Sequence, residues 1–389
     1  MERAAFRGGG FLRIGVVTQP YYPQTGGVSE NVHHTAIELR KLGHEIDIIT
    51  SRFAGYEEDS EGVIRLGRNI LVPSLGALSN VNGDPSVGRE VERVLRRNEY
   101  DLIHIHEPLS PTLPLAAISS APADTPLVGT FHACARGMGW YRLFGRLLLR
   151  YASRLDSRIA VSRAARNYAA RFMGGQYAII PNGVDPHRFH PKNPPLEGLE
   201  SASPTILFVG RFYPRKGFQV LMSALPQIVK RVPDVRVLVV GDGPLAPWYR
   251  AQARRAPCEV RFLGELTFRE IPRAFCTGDV LVAPSTAHES FGIIHLEAMA
   301  SGIPIVASDI EGYREILDSG REAILFPNGD AESLAGAVIQ VLTNEALARD
   351  MGALGRKKAE RYSWPGIVRE LEAHFSGLLR HEQRIPLAS

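Results

Sequence analysis

No stretch of the 389-residue chain stays apolar long enough to span a bilayer as a helix, which takes about 20 residues. The first ten residues carry Glu2, Arg3 and Arg7 and lack the apolar core of a secretory signal. Cysteine is scarce. Cys134, Cys258 and Cys276 are odd in number and far apart, which argues against a disulfide framework. A cytoplasmic protein in a reducing compartment is therefore expected. Histidine and cysteine do not cluster at metal-ligand spacing and no Asp-x-Asp pair sits in a turn, so no metal is expected. The Gly-x-Gly-x-x-Gly dinucleotide fingerprint and the Lys-bearing phosphate loop are missing too. That weakens a nicotinamide dehydrogenase as an alternative, as the lack of an export signal weakens a two-lobed solute-binding protein.

With 44% hydrophobic and 22% charged residues the chain is globular, and its length suits two domains. The net charge is +4, and the excess lies in residues 1–190, where 22 Lys and Arg face 18 Asp and Glu. Within 136–171 there are nine arginines and one acid, Asp156, an asymmetry that suggests an anionic partner.

Apolar runs alternate with amphipathic segments in both halves, the pattern of a βα series with a mainly parallel sheet. Strands are expected at 12–18, 45–50, 63–66, 101–106, 127–131, 158–161 and 177–180, and again at 205–210, 235–241, 259–264, 279–284, 303–308 and 323–326. A first helix is expected to run to about Leu42, with Val32, Ala36 and Leu39 on one face and Gly43 as its stop. The Pro-rich stretch 191–204 reads as a linker. The expected plan is α/β: a doubly wound domain over 1–190, a second over 205–363 facing it across a cleft, and a helix and tail over 364–389 that closes back on the first. Ile367, Leu371 and Phe375 give that helix its apolar face.

Glu289-Ser290-Phe291-Gly292-Ile293-Ile294 follows one apolar strand, and Glu297 comes eight positions after Glu289, before the next strand. Ligands of open α/β sheets bind at the carboxyl ends of strands. On one helix, eight residues amount to ~12 Å of rise and a rotation of ~80°. The two acids are then placed to accept hydroxyls from separate parts of one elongated ligand. A sugar nucleotide, with a hexose at one end and a ribose at the other, is such a ligand.

Gly210, Arg211 and Lys216 lie in a loop after the first strand of the second half, where the two cations suit a diphosphate. Arg215, in the same loop, reads as a solvated base. Gly26 and Gly27 form an early turn before a helix, where backbone amides can approach a phosphate. His132 ends an apolar strand and is a candidate to contact a sugar near its reacting carbon, against the alternative of a structural histidine. His106 and Glu107 are candidates for an acceptor side. Arg142, Arg146, Arg150 and Arg154 recur every four residues beside an apolar face. That leaves open two readings, an anionic membrane surface or an ordinary helix with solvated arginines.

As a set, Glu289-x7-Glu297, the loop with Arg211 and Lys216, Pro181-Asn182-Gly183-Val184-Asp185, the early Gly-Gly and the closing helix resemble the retaining glycosyltransferases of family 4, which have the GT-B fold. His104-Ile105-His106-Glu107-Pro108 and Gly129-Thr130-Phe131-His132-Ala133 are similar to segments of the bacterial phosphatidylinositol mannosyltransferases within it. The resemblance implies a nucleotide-sugar substrate, with GDP-mannose the choice of those relatives, and no cofactor. It also implies a lipid acceptor at a membrane surface and no nucleic acid. Glu289 would hold the hexose, Glu297 the ribose, and Arg211 and Lys216 the diphosphate. His132 would face the reacting carbon, and the turn at Gly27 the donor. Those mannosyltransferases carry Gln where this chain has Ser29, and Tyr-Asn-Gly where it has Val81-Asn82-Gly83. Ser29 and Asn82 are thus acceptor-side candidates that bear on the acceptor's identity. A diacylglycerol, an inositol phosphate or a polysaccharide stand as alternatives to phosphatidylinositol.

Overall fold

The computed structural model describes residues 10–56, 61–74, 77–134, 139–200, 202–287 and 289–382. The chain forms two compact units, one of Met1–Asn182 with Trp364–Ser389, the other of Gly183–Ser363.

In the first unit, seven parallel strands lie in the order β3-β2-β1-β6-β7-β8-β9. They are β1 (Arg13–Val17), β2 (Glu45–Ser51), β3 (Val63–Leu66), β6 (Leu102–His106), β7 (Leu127–Phe131), β8 (Ser157–Ala160) and β9 (Ala178–Ile179). Between β3 and β6 an antiparallel hairpin forms from β4 (Asn69–Ser74) and β5 (Ala77–Asn82). The helices are α1 (Gly27–Lys41), α2 (Val87–Asn98), α3 (Leu113–Ser120), α4 (Gly139–Ala152) and α5 (Arg163–Met173). Every residue of β6 and β7 is buried, as in a sheet covered by helices on both faces. Val17, Ile103, Ile105 and Phe131 pack with Leu113 and Ile118 of α3 in one core. Each such side chain contributes about 1.5–3 kcal/mol of burial free energy.

The second unit has six parallel strands in the order β12-β11-β10-β13-β14-β15. These are β10 (Thr205–Val209), β11 (Arg236–Val240), β12 (Val260–Gly264), β13 (Val280–Ala283), β14 (Ile305–Ser308) and β15 (Ala323–Phe326). Its helices are α6 (Phe218–Arg231), α7 (Ala246–Ala253), α8 (Glu270–Thr277), α9 (Ile293–Ala300), α10 (Ala331–Thr343) and α11 (Glu345–Ala359). The core holds an aromatic stack, with Phe218 and Tyr249 rings 4.2 Å apart and Phe208 edge-on to Phe218.

The segment 191–204, expected as a linker, lies within the second unit and is anchored there. Leu196 and Leu199 are buried, and the Arg236 and Arg273 guanidiniums donate to the Leu199 and Pro195 carbonyls. The last helix, α12 (Trp364–Glu382), belongs to the first unit. Ile367, Leu371 and Phe375 are its buried face, the Phe375 ring meets His104, and His374 bonds Ser157 at 2.7 Å. Trp364 stacks on His34 of α1.

Candidate active site

Strand order reverses in the second sheet between β10 and β13, and ligands of such sheets bind at this switch point, beyond the carboxyl ends of the strands. The loops after these two strands are pressed together. The first runs from Gly210 through a 3-10 turn at Pro214–Lys216 to Gly217, where α6 starts. Gly217 has φ +72°, and a Cβ there would collide with the Pro284 carbonyl oxygen, so only glycine fits. The Thr286 amide donates to the Arg215 carbonyl at 2.8 Å, tying the second loop to the first.

The clamp brings Glu289 to Lys216. The Lys216 ammonium lies 2.8 Å from Glu289 Oε1, and the Arg215 guanidinium donates to the same oxygen. Arg215, expected as a solvated base, is thus an ion-pair partner of Glu289. The signal for it was adjacency to Lys216, but the direction of a loop side chain cannot be read from spacing. From the other side, a Cβ on Gly312 would collide with the Glu289 carbonyl oxygen, so the turn after β14 also fixes this backbone. Burial pushes the Glu289 carboxyl up, but Lys216 and Arg215 outweigh it and hold the group below its ordinary range.

Gly292, at φ +88°, precedes α9, and no side chain caps that helix. The Ile293 and Ile294 amides are of the kind that helix starts offer to an anion. Glu289 lies in the loop ahead of Ile293, the first residue of α9, and not on the helix itself, so the spacing argument for two acids on one helix does not hold. Glu297 alone is helical, half-buried one turn into α9. Phe291 is 3% exposed and packs edge-on to Tyr362, so its side chain belongs to the core. Ser290 sits in the loop, half-buried. Sequence reasoning also passed over His295, fully buried in α9 with its ring 4.2 Å from that of Tyr313. Its burial lowers its pKa to about 4.

In the first unit, β6 and β7 lie side by side and end at His106 and Phe131. His106 Nδ1 and His132 Nε2 share a hydrogen bond of 2.9 Å, with the rings stacked 5.1 Å apart. His104 bonds Thr130 Oγ1 at 2.7 Å. Burial lowers His104 and His132 to about 3, and His106 well below its usual value. Glu107 takes a left-handed backbone, φ +48°, uncommon outside glycine, and accepts the His132 amide at 2.6 Å. Burial raises its carboxyl to about 7, against amide bonds from His132 and Ala133 that lower it.

Gly26 is the residue before α1, in open space, and Gly27 is the first of the helix. Ser29 is buried in its first turn with a hydroxyl that has no partner. Asn82 is 1% exposed, and its amide donates to Ser51 Oγ at 3.0 Å and the Leu66 carbonyl at 2.9 Å. Those bonds tie the hairpin to β2 and β3 and use both amide hydrogens, so the acceptor contact expected of Asn82 gives way to a structural role.

On α4, Arg146 and Arg150 are exposed beside exposed Leu147 and Leu149. Arg142 lies in α4, but its side chain is outside those described. Arg154, just past α4, is exposed as well. Its guanidinium donates to the Ile118 and Ala121 carbonyls and so caps the end of α3.

Among the described residues, no three His, Cys, Asp or Glu side chains gather as a metal site would require. No helix among them is long and apolar enough to cross a membrane.

Residues 25–188 match the model for Glycosyltransferase Family 4, and 203–344 that for Glycosyl transferases group 1. A phosphatidyl-myo-inositol mannosyltransferase of Mycolicibacterium smegmatis is 34% identical over 92% of this chain and 92% of its own. The chain belongs to the family 4 glycosyltransferases. It is a hexosyltransferase on that membership. A GDP-mannose-dependent alpha-(1-6)-phosphatidylinositol monomannoside mannosyltransferase of the same organism is 27% identical, over 90% of this chain and 94% of its own. Anabaena Alr3699/HepE, solved with UDP-glucose, superposes with a TM-score of 0.76 at 21% identity, over 94% of this chain and 100% of that one. The architecture is GT-B, with a parallel sheet in each of two Rossmann-like units.

Proposed function

We propose that this glycosyltransferase moves mannose from GDP-mannose, with retention at the anomeric carbon, onto phosphatidylinositol at the cytoplasmic face of a membrane. The observation that carries the reading is the cluster at the second sheet's switch point, where Lys216 and Arg215 hold Glu289 ahead of the uncapped start of α9. Cations and helix amides suit a diphosphate, and a carboxylate suits a sugar hydroxyl. The choice of mannose and of a phosphatidylinositol acceptor rests on the names of the family relatives, and the choice of GDP on one of them.

In this mechanism the bond from the anomeric carbon to the diphosphate oxygen breaks as the acceptor hydroxyl bonds the same face, and the hydroxyl proton passes to the departing phosphate. Arg211 and Lys216 stabilise the charge that develops on that phosphate, a kind of term that is typically the largest in catalysis. His132 contacts the hexose near its reacting carbon, Glu297 takes the ribose, and Gly26 and Gly27 let their loop approach the donor. His106 and Glu107 support His132, and Ser29 faces the acceptor. No metal takes part.

Arg211→Ala and Lys216→Ala are expected to cut turnover by about 100-fold or more, the loss typical of a removed charge-stabilising donor. Both are expected to keep a cooperative thermal transition. Near-normal turnover in a folded variant contradicts the diphosphate role. A thermal-shift series with GDP-, UDP- and ADP-sugars tests the donor, because a ligand at 100 times its Kd adds about 2.7 kcal/mol to stability.

A further inference from the structure

Both cations at Glu289 bind the same carboxylate oxygen. Among the described residues, the ion pairs and hydrogen bond of this side chain, from Lys216 Nζ and from the Arg215 guanidinium, all end on Oε1. The side chain is 10% exposed. We infer that Arg215 is a positioning residue which, with Lys216, pins one oxygen of Glu289 so that the other is presented to a hydroxyl of the transferred hexose. The inference rests on the donor-binding reading above and adds a residue to it.

Three observations support it. Arg215 and Lys216 are consecutive in one 3-10 turn, and both side chains reach the same atom. The carrier of the guanidinium is fixed, because the Arg215 carbonyl accepts the Thr286 amide. The carboxylate backbone is fixed too, by the close approach of Gly312. A single ammonium is a point charge on a flexible stem and leaves a carboxylate free to rotate, whereas a second cation on the same oxygen, here one nitrogen of the Arg215 guanidinium, holds that oxygen from two directions. With Oε1 saturated by two charge-assisted bonds, a hydroxyl that meets this group donates to Oε2. Arg215 therefore acts through Glu289 and not on the diphosphate.

The test compares Arg215→Ala, Arg215→Lys, Glu289→Gln and the double variant Arg215→Ala/Glu289→Gln in the full-length protein, each checked for a cooperative melt. First, carbon-13 NMR of the Glu289 carboxyl is expected to show its pKa raised in Arg215→Ala and restored in part by Arg215→Lys. An unchanged titration overturns the proposal. Second, kcat/KM with GDP-mannose is expected to fall about tenfold in Arg215→Ala, one factor of ten being one decade of transition-state binding. The loss is expected to vanish for one monodeoxy-mannose donor and in the Glu289→Gln background. An equal loss for every deoxy donor, or full additivity with Glu289→Gln, overturns it. Third, GDP alone is expected to bind Arg215→Ala within about twofold of the parent, and a tenfold weakening makes Arg215 a diphosphate ligand instead. If the parent protein binds neither GDP nor GDP-mannose, it is the donor reading that fails, while the carboxyl titration still decides whether Arg215 holds Glu289.

Discussion

Two neutral imidazoles share a hydrogen bond only if one nitrogen donates and the other accepts, and His106 and His132 are held in that state by burial. With His104 they form a group whose pKa values all lie below the ordinary 6.5. Groups so depressed favour the fold above 6.5, and that stability is lost as pH falls toward about 3. Glu107 has the opposite sign. Its carboxyl is raised from 4.5 to about 7, so its contribution is complete below 4.5 and is lost as pH rises through 7. Glu107→Gln keeps an acceptor for the His132 amide and removes the charge. Its melting temperature relative to the parent is expected to be higher at pH 8 than at pH 5, and a difference that stays flat between the two shows that Glu107 is not held protonated. The sequence named His106, Glu107 and His132 by their place at strand ends. It carried no sign that they bond one another, because β6 and β7 come together only in the folded sheet.

At the scale of elements, the strands were legible because parallel strands buried on both faces read as apolar runs. The expected spans at 63–66 and 127–131 coincide with β3 and β7, and Gly43, at φ +97°, does stop α1. The hairpin of β4 and β5 was not read, since Asn69, Pro73, Ser79 and Asn80 interrupt any alternation. The packing of 191–204 was hidden by its prolines, which mark irregular backbone but not where it docks. Glycines divide the same way. Gly312 is pressed on Glu289, whereas Gly336 in α10 has open space around its absent Cβ. Gly312→Ala is expected to weaken GDP-mannose binding at least tenfold, a loss of about 1.4 kcal/mol. Gly336→Ala is expected to leave binding unchanged and to add up to about 1 kcal/mol of helix stability. Equal binding by the two variants, measured by calorimetry, contradicts the role given to the β14 turn. On and just past α4 the arginines separate by contact. Arg146→Glu with Arg150→Glu is expected to abolish flotation with anionic vesicles at low salt. Arg154→Ala is expected to spare flotation and to cost about 1 kcal/mol through the lost cap of α3.

Across the whole molecule, the chain leaves its first unit after Asn182 and returns to it at Trp364. The second unit is thus an insertion between two parts of the first, and truncation before α12 removes core side chains such as Phe375. The net charge of +4 resides wholly in residues 1–190, and on the proposed function this is the part that would meet an anionic surface. The charge-balanced remainder carries the cluster at Glu289, where local geometry and not net charge makes the site. The most direct measurement is the product formed when the purified protein is given GDP-mannose and phosphatidylinositol in anionic vesicles. A single mannose joined to the inositol with the α configuration of the donor, with GDP released in equal amount and the reaction abolished by Glu289→Ala, is the result expected. A β-linked product, or full transfer by the Glu289→Ala protein, contradicts it.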